Sequence, residues 1–291
     1  MNGIETYKPS GRFDALTIPA GLGLGLVGAL GIGWLYQMAV DFIPFIYINL
    51  FLTIGFGIAI GGLVGFGARI GKCRNLLIAS ALAAVCAFAA EGSTLYYNYL
   101  NTTKKITKRL TKSKSKFSKV IAAKVKKSYT FSKHIKVRTK SGWHIKGLKI
   151  TGVMVYGIWF LELLILLICA VFMTRGMSGA PFCESSGQWA EEEELGSIPG
   201  ADIGYVRDAI AAGDLGSVLT VSNYPIHEGE DMAVSFTLFN CERIGYLTVA
   251  ATWFEANDKG ENEEKSEDIL EYATLQAEQI HLLKEELSAV A

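Results

Sequence analysis

Histidine and proline are scarce in this chain, and one long stretch has no acidic residue. The 291 residues include four histidines and six prolines, against 31 glycines. There is no H-E-x-x-H pair, no G-x-S-x-G elbow and no histidine pair, which excludes the commonest zinc-protease and hydrolase signatures. Residues 101–149 hold 17 of the 28 lysines and arginines and no aspartate or glutamate. Residues 174–291 hold 23 acids against 6 bases, a net of −17. The formal net charge of zero therefore hides two oppositely charged segments, with a hydrophobic run between them.

Long apolar runs are plentiful. Residues 17–40, 45–68 and 150–173 each approach or exceed the roughly 20 residues that cross a hydrocarbon core of about 30 Å. A fourth run, 76–100, is apolar or small through Ala90, then meets Glu91, Gly92 and Ser93 before LYYNYL. It spans if Glu91 sits near the headgroups or faces other helices. The first run is too long for the apolar stretch of a cleaved signal, and a second follows at once. The expected fold is an α-helical membrane bundle of about four transmembrane helices. A small α+β soluble C-terminal domain resembling a degenerate zinc-ribbon hairpin completes it. The expected domains are 1–100 with three helices, a lysine-rich loop 101–149, a fourth helix 150–173, a soluble domain 174–260, and an acidic linker with a helix over 261–291.

Gly21 and Gly25 stand four apart in the first run, as do Gly57, Gly61 and Gly65 in the second. Small residues on one face let helices approach in lipid, so the first two spans are expected to pack as a hairpin. GFGARIGK superficially resembles a phosphate loop. However, Phe66 stands where its first glycine belongs and Cys73 where Ser or Thr would hold magnesium. Glu162 falls inside the last run. Two readings are open for it and for Glu91: a proton or cation relay, or interhelical hydrogen bonds that fix packing.

Within the basic stretch, residues 104–127 place Ile106, Leu110, Phe117, Ile121 and Val125 at near-helical spacing between lysines. That is the pattern of an amphipathic helix on an anionic lipid surface, with Lys104, Lys105, Lys108, Arg109, Lys112, Lys116 and Lys119 as contacts. Residues 129–138 alternate like a strand. No nucleic-acid motif is present, and aromatic residues for base stacking are few, so nucleic acid is not an expected partner.

In the acidic part, GYVRDAIAAGDLGSVLTV reads as two short helices broken at Gly213, and MAVSFTLFN and YLTVAATWF as strands. DKGENEEKSED reads as a linker. A helix is expected from Ser266, with Ile269, Ala273, Ile280, Leu283 and Leu287 on one side. FCESSGQW and NCERIGY each carry C-x-x-x-G followed by an aromatic, as in a zinc knuckle without its second cysteine. A zinc site wants four ligands, and only His227, Glu184, Glu242 or Ser186 are at hand to complete Cys183 and Cys241. A disulfide in an oxidising compartment and two buried thiols are the other readings. No metal or cofactor is expected.

YKPSGRF, PFIYIN, GKCRN and IWFLELLIL followed by PFCE resemble a family of uncharacterised bacterial multi-pass membrane proteins. The resemblance implies a plasma-membrane location, four helices, both termini in the cytoplasm and a cysteine-containing tail. Charge counting opposes that topology. With four spans the basic stretch brings 17 cations to one side and about 6 lie near the membrane on the other, which puts the stretch in the cytoplasm and the tail outside. A three-span arrangement, with 76–100 not crossing, also satisfies the charges. The expectation adopted is four spans with a cytoplasmic tail. The expected function is a non-enzymatic scaffold or adaptor, its tail binding a protein and its loop contacting anionic lipid. A small channel or transporter using Glu162 is the alternative.

Overall fold

A computed structural model of the chain describes residues 4–42, 46–111, 122–123, 125, 127–145, 148–227, 232–256 and 262–290. The chain divides into two compact units, one of Gly11–Gly179 and one combining Met1–Ser10 with Ala180–Ala291.

The first unit is built on α1 (Thr17–Phe42), α2 (Ile46–Ile70), α3 (Leu76–Thr111) and α5 (Val153–Gly179). Between α3 and α5 lie the short helix α4 (Phe131–Ser141) and the hairpin of β1 (Trp143–Ile145) and β2 (Leu148–Ile150). All four long helices are long and apolar enough to cross a membrane. Val27, Phe51, Phe88, Val153, Phe160 and Phe172 are exposed, so the outer surface of the bundle matches hydrocarbon rather than water. These features are compatible with a multi-pass membrane protein.

α1 packs on α2 and α3, and α5 packs on α2 and α3. Gly21 and Gly25 lie where a Cβ would meet Leu82 and Cys86 of α3. Gly57, Gly61 and Gly65 face Leu166, Ala170 and Met177 of α5, and a Cβ on Gly61 would sit 2.5 Å from the Ala170 carbonyl oxygen. The glycine row of α2 thus points at the last span. α1 and α2 do approach closely, but through Gly28 beside Leu63, Gly67 beside Ala20 and Gly71 beside Thr17. Hydroxyls supplement these approaches by donating to carbonyls of neighbouring helices: Thr17 to Gly71 (2.6 Å), Ser93 to Ala29 (2.6 Å) and Thr174 to Gly61 (2.9 Å).

Asn75 caps the start of α3, its side chain accepting from the backbone N–H groups of Leu77 and Ile78. It continues past Leu100 to Thr111, a length of 36 residues. Lys104, Lys105, Lys108 and Arg109 therefore stand on its C-terminal turns, where positive charge complements the helix dipole. Lys112, Lys116 and Lys119 lie outside the described residues. The strand expected over 129–138 is instead α4. Thr130 caps its start by accepting from the Lys133 N–H, and Gly142, at φ 63°, ends it. These end signals outweigh the local alternation.

In the second unit an antiparallel sheet runs in the order β5 (Glu191–Pro199), β6 (Met232–Asn240), β7 (Ile244–Ala256), β8 (Asn262–Gln276). α6 (Ile203–Ala212), α7 (Leu215–Leu219) and α8 (Ala277–Val290) pack on it. Val206, Val218, Leu219, Leu283 and Leu287 from the helices meet Val234, Phe236, Leu238, Leu247 and Leu275 in one core. Asp202 and Asp214 cap α6 and α7, and Gly213 separates the two helices in the left-handed conformation. A two-residue-per-strand hairpin, β3 (Phe182–Cys183) with β4 (Gln188–Trp189), precedes the sheet.

Two expectations fail here. The stretch from Asn262 is a strand, not linker and helix; its buried Leu270, Ala273 and Leu275 pack in the sheet, and the helix starts only at Ala277. β5 went unread because its opening EEEE conceals a strand that pairs with β6 from Asn240 to Ala233.

The N-terminal stretch belongs to this unit. Thr6 bridges Ala273, the Tyr7 N–H donates to the Tyr272 carbonyl (2.9 Å), and the Thr274 N–H donates to the Glu5 carbonyl (2.8 Å). Residues that pair in one sheet lie on one face of a bilayer. An even number of crossings between them is compatible with that pairing, and four helices are long and apolar enough to cross.

Candidate functional site

Two polar assemblies stand out, one in each unit. In the bundle, Glu91 of α3 and Glu162 of α5 share an electrostatic environment with Tyr36 and Asp41 of α1 and with Arg138 of α4. Arg138 is the residue that sequence reasoning missed. Burial holds its pKa below the usual arginine value, while Glu162 foremost, then Asp41 and Glu91, act in the opposite sense. Its guanidinium lies 5.8 Å from the centre of the Trp159 ring, within cation–π range. Asp41 accepts from Gln37 Nε2 (3.0 Å) and pairs with Lys105 (3.2 Å). Tyr36 exchanges a hydrogen bond with Thr53 (3.0 Å) and stacks on Phe56. Glu91 and Glu162 thus share their electrostatic surroundings with a cation carried by a helix of 11 residues, too short to span. The available signal was composition: in 101–149 only Arg109 and Arg138 are arginine, and arginine suits partly buried ion pairs better than lysine.

α4 is held against α3 by His134. Its Nε2 is 3.1 Å from Asn98 Oδ1 and its Nδ1 is 2.9 Å from the Tyr129 hydroxyl. Burial first, and Arg138 second, push the His134 pKa below its ordinary value. A neutral ring satisfies both contacts, with Nε2–H donating to the Asn98 amide oxygen and Nδ1 accepting from Tyr129. The Tyr99 hydroxyl donates to the Tyr129 carbonyl (3.0 Å), the Tyr99 and Tyr129 rings pack against the histidine, and Tyr96 and Phe131 pack on Tyr99.

In the tail unit Cys183 and Cys241 form a disulfide, with Cα atoms 5.6 Å apart. Cys183 ends β3 and Cys241 sits in the β6–β7 turn, where its N–H donates to the Ile244 carbonyl (2.9 Å). Gly187 turns the first loop at φ 67°, and Gly245 lies where a Cβ would strike Leu238 and Ile280. His227 contacts Asp202 (3.3 Å). A groove of about 910 Å³ runs beside the bridge, bordered by Tyr7, Lys8, Glu184, Arg243, Tyr246 and Thr274.

No family model, no curated protein and no solved structure matches the chain, so its function is argued from these assemblies alone.

Proposed function

We infer that the protein is a non-enzymatic membrane scaffold or adaptor with its N-terminal stretch and disulfide-bonded tail on the outer side and its basic loop on the cytoplasmic side. The observation that carries this reading is the Cys183–Cys241 bridge in the unit that also holds residues 4–10. Disulfides persist in oxidising compartments. Independently, the 17 cations of 101–149 favour the cytoplasmic side for the opposite face. Both arguments now oppose the cytoplasmic tail that the family resemblance implies, and the outer placement replaces it. The two knuckle-like turns serve as a metal-free clasp that joins β3 to the main sheet. The glycines of α1 and α2 close the bundle, the Lys104–Arg109 turns meet anionic headgroups of a bacterial plasma membrane, and the tail docks a protein. The test is protease access to a C-terminal reporter in intact cells. Cleavage without lysis is expected; a tail protected until lysis overturns the topology.

The electrostatic influence of Glu162 and Glu91 on Arg138 favours a second reading, a small channel or transporter. That reading requires cation or proton flux in reconstituted vesicles that Glu162→Gln abolishes while the protein stays folded. Absence of flux in the unsubstituted protein eliminates it.

A further inference from the structure

β8 is paired by β7 along one side only. On its other side the chain has already added a strand: Glu5–Tyr7 pair with Tyr272–Thr274. Among the described residues nothing pairs with that side from Asn262 to Leu270. At about 3.4 Å per residue this leaves an extended edge of about 30 Å. A row of unused N–H and C=O groups of this kind is a template for another strand.

The side chains along the edge restrict what can use it. Glu263, Glu264, Glu267 and Asp268 line it with one opposing cation, Lys265, and Glu267 also pairs with Arg207 of α6. A second copy of β8 would set like charges opposite one another, which disfavours self-pairing. A lysine- or arginine-rich strand meets opposite charges at the same positions, each pair strengthening association about 1.4- to 5-fold.

We propose that the outer edge of β8, Asn262–Leu270, binds an extended basic segment of a partner protein by strand addition, continuing the strand that Glu5–Tyr7 begins. This rests on the adaptor reading and specifies its partner's chemistry.

The experiment uses the full chain in nanodiscs and a labelled decapeptide of alternating lysine and valine. Its controls are an alternating glutamate–valine peptide and a lysine–valine peptide with every second amide methylated. Binding is read by anisotropy, and location by amide hydrogen exchange. The lysine peptide is expected to bind in a salt-sensitive manner and to slow exchange over Asn262–Leu270. Amide methylation, or the combined substitutions Glu263→Gln, Glu264→Gln and Asp268→Asn, should each weaken it about tenfold. The glutamate peptide should not bind. Equal binding of the methylated peptide, no binding of the lysine peptide, or slowed exchange only elsewhere on the tail, overturns the edge proposal. The adaptor reading is decided separately, by photocrosslinking from the tail in native membranes; finding no protein there refutes that reading whatever the peptides do.

Discussion

Replacing His134 tests how α4 is docked. The residue is 3% exposed and bonds to both Asn98 and Tyr129. Phenylalanine preserves ring volume but strands the Asn98 amide oxygen and the Tyr129 hydroxyl. An orphaned buried polar group costs about 1–3 kcal/mol, and both partners are only half-buried, so a total near 2 kcal/mol is expected for His134→Phe. That is about a 30-fold rise in the undocked population. Trypsin reads it directly, because Lys133, Lys136 and Lys140 lie on α4 and are cut when the helix releases.

The same residue sets a pH dependence with a definite sign. Docked His134 has its pKa lowered from 6.5, so the undocked state binds more protons once pH drops below about 6.5. Docking is therefore fully stabilised above that value and weakens steadily as pH falls toward the depressed pKa of the docked state. In reconstituted full-length protein, cleavage within α4, divided at each pH by trypsin's rate on an unfolded peptide substrate, should rise as pH falls from about 7.5 to about 5.5. His134→Phe should cleave faster at both values and lose this dependence. Unchanged cleavage in the unsubstituted protein over this range, or cleavage that increases with pH, refutes the assignment.

Removing the bridge with Cys183→Ser and Cys241→Ser should destabilise the tail unit by about 4 kcal/mol, from the loop-closure entropy of a 58-residue separation. Limited proteolysis of the tail with and without reductant checks this. Gly61→Val should cost about 1–3 kcal/mol by pushing against the Ala170 backbone, whereas Gly62→Val, which points into open space, should cost little. Thermal melts in detergent that show equal losses would refute helix packing at Gly61. A double-mutant cycle of Arg138→Gln and Glu162→Gln should give a coupling of about 0.5–3 kcal/mol, and strict additivity would show that the two groups do not interact.

How far the fold can be read from residues alone depends on which force dominates locally. Hydropathy fixes α1, α2, α3 and α5 because burial in lipid overrides every finer preference. It does not show where α3 ends, since a helix that leaves the bilayer needs no apolar side to continue through Lys104–Arg109. β6 and β7 are legible from alternation around Val234, Phe236 and Leu238. β5 and most of β8 are hidden because edge strands carry charge where central strands carry valine and leucine. The glycine spacing correctly marks close approach but not the partner helix, since Gly57, Gly61 and Gly65 would fit α1 as well as α5. Arg138 is only partly legible: being one of two arginines in 101–149 sets it apart, but which charges it serves emerges only when α4 folds.

The pairing of Thr6 with Ala273 also orders events in time. The two residues are separated by 267 positions, so at synthesis rates of about 5–20 residues per second the early strand waits about 13–53 s for its mate. Throughout that interval Glu5–Tyr7 have no sheet to join. The tail unit cannot close its edge until β8 has been delivered beside them. A chain stopped after α5 leaves Glu5–Tyr7 without a partner strand, so the earliest residues of the chain depend on the latest for their only sheet pairing among the described residues.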